Sequence, residues 1–155
     1  MSAILECINL SKNFNGLMAV SNLNLKLESG RIIGLLGPNG SGKTTLIKMI
    51  SGLLTPASGS LLINGMEPGV ETKKIVSYLP ERTYFNNAMK VSEILKLFSD
   101  FYEDFDRVKA EDMLRRLDVN PAFKFKTLSK GTKEKVQLVM VMARRAKLYL
   151  LDEPI

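Results

Sequence analysis

The segment that most constrains the fold of this chain is a glycine-rich loop that joins an apolar run to a helical pattern. The apolar run RIIGLLG, residues 31–37, has no alternation, which is typical of a central parallel strand covered on both faces. The loop GPNGSGKT follows it, and apolar side chains then recur at helical spacing up to Gly52, which predicts a helix over residues 43–51. A strand, a glycine loop and a helix are therefore expected in direct succession.

The loop, residues 37–44, matches the phosphate-binding pattern G-x-x-x-x-G-K-[ST]. Its glycines allow backbone N–H groups to wrap around a polyphosphate, and the following helix adds the positive end of its dipole. We expect Lys43 to reach the β- and γ-phosphates and the Thr44 hydroxyl to face Mg²⁺. A flexible glycine turn is the alternative, and the flanking strand and helix patterns disfavour it. The residues expected to bind the nucleotide are Gly37, Pro38, Asn39, Gly40, Ser41, Gly42, Lys43, Thr44 and Thr45.

Two adjacent carboxylates follow an apolar run near the end of the sequence. The segment LYLLDEP, residues 148–154, predicts a buried strand that delivers Asp152 and Glu153 at its carboxyl end, where open α/β sheets place their ligands. We expect Asp152 to hold Mg²⁺ through its water shell and Glu153 to orient and polarise an attacking water. Alone, this sequence is typical of a solvated turn. Downstream of a phosphate-binding loop, it indicates nucleotide hydrolysis.

Composition excludes several classes of protein. The 155 residues are 45% hydrophobic and 25% charged, which is typical of a globular chain. Cys7 is the only cysteine, so an internal disulfide is impossible and a reducing compartment is expected. No stretch reaches the ~18 apolar residues of a membrane helix. The net charge of +6 is spread over several segments, so it is weak support for an anionic ligand, and no nucleic-acid partner is expected.

The remaining patterns change from mixed to helical along the chain. Strict alternation in NLNLKLE, residues 22–28, predicts a half-buried antiparallel strand, and LLING and IVSYLP predict short strands. Helical spacing begins at Val91, and further helices are expected over residues 107–117 and about 132–145. The predicted domains are a nucleotide-binding core with an antiparallel β subdomain (1–81), a helical subdomain (82–145) and a return to the core (146–155).

In this order, the motifs resemble those of the ATP-binding-cassette (ABC) transporter ATPases. The resemblance covers almost every residue and rests on Phe14, GPNGSGKTT, SYLPE, the helical insert, LSKG and LLDEP. It implies an α/β fold, with a P-loop NTPase (RecA-like) core, an antiparallel β subdomain and an inserted α-helical subdomain. It also implies ATP and Mg²⁺ as ligands and ATP hydrolysis as the activity, with Lys43 and Glu153 as the catalytic residues.

The segment LSKG, residues 128–131, matches the family's signature loop LSGGQ in part. The resemblance implies that Ser129, through its hydroxyl, and Gly131, through its N–H, contact the γ-phosphate bound to a second subunit in a head-to-tail dimer. Lys130 and Thr132 stand where Gly and Gln are usual. Lys130 is expected either to attract the opposite phosphate or to disturb close approach. The neighbouring lysines are more typical of an ordinary solvated face.

Three further assignments come from the resemblance. Phe14 occupies the position of an aromatic ring that stacks on adenine, with a core aromatic as the equally supported alternative. Glu81 stands where glutamine is frequent, and a carboxylate there can still face Mg²⁺. Tyr84, Phe85 and the helix from Val91 correspond to the surface that meets a membrane-spanning partner, although core packing explains most of the apolar stripe.

The function implied by the resemblance is the motor subunit of a transporter. ATP closes the dimer, closure moves a separate transmembrane permease subunit, and hydrolysis resets the assembly. The expected location is the cytoplasm, peripheral on the inner face of the cell membrane through that partner. LSKG and DEPI are similar to variants in cassettes of bacterial drug or antibiotic exporters. A soluble ABC-type ATPase acting on ribosomes or DNA and a small-molecule kinase remain as alternatives.

In the family, GPNGSGKTT is the Walker A motif and LLDEP is the Walker B motif. The sequence stops directly after the Walker B carboxylates, where the family continues through a D-loop, a switch histidine and further strands. The resemblance places a later strand between the Walker A and Walker B strands. We therefore expect the C-terminal strands to be missing, and we expect unpaired backbone groups in the sheet.

We predict that the 155-residue chain alone binds nucleotide weakly and does not hydrolyse it at a useful rate, because its sheet lacks those strands. A phosphate-release assay on the purified chain checks this. Mg²⁺-dependent ATP turnover that Lys43→Ala abolishes contradicts it.

Overall fold

The structure is a computed structural model that describes residues 2–83 and 85–154. The chain divides after Val76 into two compact units, and each is described by itself. A short 3-10 turn at Phe125–Thr127 accompanies the longer elements. These elements, in chain order, are β1 (Ala3–Phe14), β2 (Leu17–Glu28), α1 (Lys43–Ile50), β3 (Ser58–Ile63), α2 (Val70–Ile75), β4 (Val76–Leu79), α3 (Val91–Phe101), α4 (Arg107–Arg116), α5 (Lys130–Met142) and β5 (Leu148–Leu151).

An antiparallel sheet in the order β2-β1-β3 forms most of the first unit. The alternation in β2 is confirmed: its leucines at 23, 25 and 27 are partly buried, and they pair with Leu10, Cys7 and Leu5 of β1. Helix α1 buries four apolar side chains and ends at Ile50, one residue before the predicted end. Helix α2 is only six residues long and has no strong sequence pattern, so it was not predicted.

The prediction of a strand at residues 31–37 is wrong, because these residues do not form one. This segment has no regular secondary structure, and Ile32 and Leu36 are 104% and 92% exposed. A strand needs backbone partners, and among the described residues no other strand is hydrogen-bonded to this segment. An apolar run shows which side chains are suited to burial, but it does not show whether neighbouring strands are present.

The second unit has a helical core. The apolar stripe that begins at Val91 is confirmed except at Phe101, since Val91, Ile94, Leu95 and Phe98 are buried but Phe101 is exposed. Helix α3 ends at Phe101, but the stripe continues, because the rings of Tyr102 and Phe105 lie 5.4 and 5.6 Å from that of Phe98. The two later predicted helices are also present as α4 and α5, and α5 begins two residues earlier than expected.

Strands β4 and β5 form a two-stranded sheet. The Ser77 hydroxyl donates a 2.9 Å hydrogen bond to the Val141 carbonyl, which ties β4 to the end of α5. No helix in the described part of the chain is long and apolar enough to cross a membrane.

A buried ion pair connects the loop after α3 to the end of α5. The Arg144 guanidinium donates to both carboxylate oxygens of Asp104, at 3.1 and 3.3 Å. Its Cζ atom lies 4.0 Å from the centroid of the Tyr102 ring. The Arg144 side chain is only 4% exposed and that of Asp104 is 23% exposed, so solvent screens this pair weakly.

We predict that Asp104→Asn lowers the free energy of unfolding by about 3 kcal/mol, because it removes the negative charge that the buried guanidinium contacts through two hydrogen bonds. The matched control is Asp100→Asn, which breaks an exposed 2.7 Å pair with Lys96 and should cost about 0.5 kcal/mol or less. Urea unfolding measures both. Equal losses in the two variants contradict the role given to burial.

Candidate functional site

The glycine loop ends where helix α1 begins. Gly42 is the N-cap residue, with φ 95° and ψ 7° in the left-handed region, and it provides no side chain to cap the helix. The first turn of α1, as described, contains no acidic side chain. The amide groups at this helix start therefore favour an external anion.

Gly42 also packs tightly against β2. A Cβ atom at Gly42 would lie 2.3 Å from the Ala19 carbonyl oxygen and 3.3 Å from Val20 Cγ2. Gly40 has a similar φ of 83°, but a Cβ atom there meets nothing within 4 Å. Glycine is therefore required at position 42 both for its conformation and for space, whereas at position 40 only the conformation requires it.

The Lys43 side chain folds back over the loop. Its ammonium donates hydrogen bonds to the carbonyl of Gly37, to the carbonyl of Pro38 at 2.8 Å and to Ser41 Oγ at 3.3 Å. A positive charge is therefore held inside the curve of the loop by neutral acceptors. Phosphate oxygens are stronger acceptors for an ammonium than carbonyl groups, so the arrangement fits a polyphosphate.

The other predicted residues of this loop lie around Lys43. Asn39 and Ser41 are exposed, and the Ser41 N–H donates to the Pro38 carbonyl at 3.1 Å, which closes a turn. Thr44 and Thr45 are partly buried in the first turn of α1. Residues 37–45 are thus gathered at one helix start, as predicted.

Phe14 lies at the end of β1, opposite Leu17, and is 43% exposed. It is not a core side chain, so the alternative of a core aromatic is disfavoured. The same strand pairs Lys12 with Val20, whose side chain is the one close to Gly42. The first unit therefore brings the hairpin that carries Phe14 against the glycine loop.

In the second unit, Asp152 directly follows β5. Its side chain is buried, with the residue 3% exposed, and its N–H donates to the Leu79 carbonyl at 3.0 Å. Glu153 is exposed and has a φ of 49°, a conformation that is uncommon for a residue other than glycine. The backbone therefore turns sharply between the two carboxylates, with one buried and the other in solvent.

The pKa of Tyr78, in β4, depends on two of the predicted site carboxylates. Burial raises the pKa of Tyr78, and the carboxylates of Asp152 and Glu81 raise it further because they disfavour a phenolate nearby. Glu81 and Asp152 therefore act on one part of the β4–β5 sheet. Sequence reasoning missed Tyr78, although its place in SYLPE three residues before Glu81 was a usable signal.

The oxygen donors present fit Mg²⁺ in chemistry, since that ion prefers carboxylate, hydroxyl and water oxygens. The residues 2–83 and 85–154 contain no group of three or more His, Cys, Asp or Glu side chains that would hold a metal alone. Mg²⁺ in nucleotide sites uses only one or two carboxylates besides water and phosphate. Thr44 belongs to the first unit, and Asp152 and Glu81 belong to the second.

Ser129 and Gly131 lie at the start of α5. Ser129 is its N-cap residue: its Oγ accepts a 3.2 Å hydrogen bond from the Thr132 N–H and lies 2.8 Å from Thr132 Oγ1. Ser129, Lys130 and Gly131 are exposed, and a Cβ atom at Gly131 meets nothing within 4 Å. Thr132 thus contributes to the cap where the resemblance expects glutamine. Tyr84 lies outside the described residues.

Comparison with known proteins gives a consistent result. A family model described as "ABC transporter" matches residues 20–155. The chain is 33% identical over 153 residues to the ABC transporter ATP-binding protein YtrB of Bacillus subtilis, covering 97% of this chain and 52% of YtrB. It is also 33% identical to the SkfA peptide export ATP-binding protein SkfE of the same species, covering 97% of this chain and 66% of SkfE.

Among solved structures, a putative ABC transporter ATP-binding protein from Pyrococcus furiosus superposes with a TM-score of 0.85 at 31% identity. That match covers 99% of this chain and 76% of the Pyrococcus chain. The chain spans about half the length of YtrB and about two thirds of SkfE.

We predict that Gly42→Ala lowers the free energy of unfolding by about 3 kcal/mol, because it adds a clash with the Ala19 carbonyl to the cost of a left-handed alanine. Gly40→Ala is the matched control and should cost about 1 kcal/mol, since only the backbone conformation is unfavourable there. Urea unfolding compares them. If Gly40→Ala costs as much as Gly42→Ala, the close packing on β2 is not what limits position 42.

Proposed function

Because the chain belongs to the ABC transporter family, we propose that it is the subunit that binds and hydrolyses ATP in a membrane transporter. The observation that carries this proposal is the position of Lys43. Its ammonium lies inside the glycine loop, at a helix start where Gly42 provides no side-chain cap. This combination favours a polyphosphate over other anions, because several oxygens then meet several donors at once.

The proposal assigns roles to the glycine loop, to the carboxylates of the second unit and to Phe14. Lys43 binds the β- and γ-phosphates, and the N–H groups of residues 40–45 surround them. In the first unit, the Thr44 hydroxyl is a proposed oxygen donor for Mg²⁺. In the second unit, Asp152 and Glu81, which both act on Tyr78, are the proposed carboxylate donors. When bound, Mg²⁺ neutralises phosphate charge. Phe14 provides an exposed ring for the adenine base.

Glu153 is the proposed general base. It is exposed, unlike the buried Asp152, so a water molecule can reach it. Its carboxylate orients this water and accepts a proton as the water oxygen bonds to the γ-phosphorus, while the bond to the β–γ bridging oxygen breaks and ADP leaves. Because Glu153 is exposed and Asp152 is buried, the proposal assigns the two carboxylates to different groups.

A second subunit completes the proposed site. Ser129 and Gly131 are exposed at the start of α5, and the described first turn of this helix has no acidic side chain. The helix start therefore suits a phosphate group held by another copy or a related subunit. In a head-to-tail dimer, each phosphate loop faces the α5 start of its partner.

Closure of this dimer is proposed to move a separate transmembrane permease, with the ATPase on the cytoplasmic side of the membrane. Residues 82–145, which include the exposed Phe101, are the proposed helical subdomain that meets it. Export is favoured over import, as LSKG and DEPI are similar to exporter variants and the name of SkfE includes peptide export. That name describes SkfE, and this chain's own substrate is set by its membrane partner.

We predict that Glu153→Gln in the full-length protein keeps its affinity for ATP but lowers the hydrolysis rate by about 10²–10⁴-fold, because the general base is lost. The variant should accumulate as a dimer with ATP, as measured by size-exclusion chromatography. The control Lys43→Ala should lose ATP binding in calorimetry. A Glu153→Gln variant that hydrolyses ATP at the unmodified rate contradicts the role given to Glu153.

A further inference from the structure

We propose that Lys12 is a positioning residue for the nucleotide base: it holds one face of the Phe14 ring and leaves the opposite face for the purine. This inference rests on the proposed function, because it requires Phe14 to stack on a base. It adds a residue that lies outside every motif discussed above.

The first observation is the contact itself. Lys12 Nζ lies 5.4 Å from the centroid of the Phe14 ring, within the range of a cation–π interaction. Phe14 is 43% exposed, so its ring is also accessible to a ligand. An ammonium can cover only one face of a ring, so the proposal assigns the purine to the other face.

The second observation is the direction of these side chains. Lys12 and Phe14 are two residues apart on β1, and their 5.4 Å contact shows that they share a face of the sheet despite the register shift between Lys12 and Asn13. Lys12 is paired with Val20 of β2, and directly opposed residues in an antiparallel pair also share a face. Val20 Cγ2 is 3.3 Å from the position of a Cβ atom on Gly42. The face that carries Lys12 and Phe14 is thus the face that meets the phosphate loop.

The third observation concerns the charged groups around the Lys12 ammonium. No carboxylate in residues 2–83 and 85–154 forms an ion pair with Lys12. By contrast, Lys26 on the neighbouring strand is held by Glu6 at 3.0 Å. The ammonium of Lys12 therefore has the Phe14 ring as its described partner and is not drawn away by an acidic neighbour.

These contacts give Lys12 a physical role. An exposed phenylalanine at the end of a hairpin loses rotamer freedom when a base stacks on it, which weakens binding. A lysine that already holds the ring reduces that loss before the nucleotide arrives. This positioning of the ring affects the binding of the base and not of the phosphates. The proposed role of Lys12 therefore differs from that of Lys43.

The test measures the affinity of the full-length protein for two probes, Mg²⁺–ATP and Mg²⁺–tripolyphosphate, by calorimetry. Lys12→Met keeps the length of the side chain and removes its charge. We expect it to weaken ATP binding by about two- to fivefold, the effect of an exposed cation–π contact, and to leave tripolyphosphate binding unchanged. Lys12→Arg should restore the affinity for ATP, since a guanidinium also binds the face of a ring.

Two matched variants identify the cause. Lys26→Met removes a charge from the same sheet and should leave the affinity for both probes unchanged. In a Phe14→Leu background, Lys12→Met should have no further effect on ATP binding, because the ring that it positions is absent. Thermal unfolding of each variant shows that all of them are folded.

Three results overturn the inference. The first is an unchanged affinity for ATP in Lys12→Met, and the second is a loss of affinity for tripolyphosphate equal to that for ATP. The third is a loss of ATP affinity on Lys12→Met in the Phe14→Leu background as large as in the unmodified protein. An equal loss for tripolyphosphate shows that Lys12 acts on phosphate directly. The proposed function fails separately, if the unmodified protein binds neither probe or if Lys43→Ala leaves both affinities intact.

Discussion

The absence of a side chain at Gly42 is the constraint on which the proposed phosphate site depends. The Ala19 carbonyl occupies the space in which a Cβ atom would stand, at 2.3 Å, so the loop can approach β2 only through glycine. This close approach fixes the start of α1 and thereby the position of the Lys43 ammonium. It also brings the face of Lys12 and Phe14 toward the same loop. One backbone contact thus links the proposed phosphate site to the proposed base site.

The second unit depends on a different kind of packing. Its helices enclose an apolar core around Phe98 and Phe125, and the buried Arg144 is compensated by Asp104 and the ring of Tyr102. Asp152 follows strand β5 and Ser129 is the N-cap residue of α5, so both lie at the ends of elements. The second unit thus combines an apolar core with a buried carboxylate and an exposed hydroxyl that are proposed for the nucleotide site.

Local patterns predicted much of this structure, because each depends on a few neighbouring residues. Glycine and lysine spacing located the loop, strict alternation located β2, and the stripe from Val91 located α3. Helix α5 begins earlier than the predicted residue 132, because Ser129 caps it and Lys130 is its first residue. The strand predicted at residues 31–37 was wrong, since strand formation depends on partners elsewhere in the chain and not on the apolar run itself.

The sequence alone determined the order of the motifs, the phosphate-binding loop and the family to which they point, since these depend on residue types at fixed spacing. Only the tertiary structure decided that Phe14 is exposed, that Tyr78 lies near Asp152 and Glu81, and that the Lys12 ammonium lies 5.4 Å from the centroid of the Phe14 ring. The reason is physical. Side-chain contacts between strands depend on register and on bulges, such as the shift between Lys12 and Asn13, and register is set by the packing of the whole sheet.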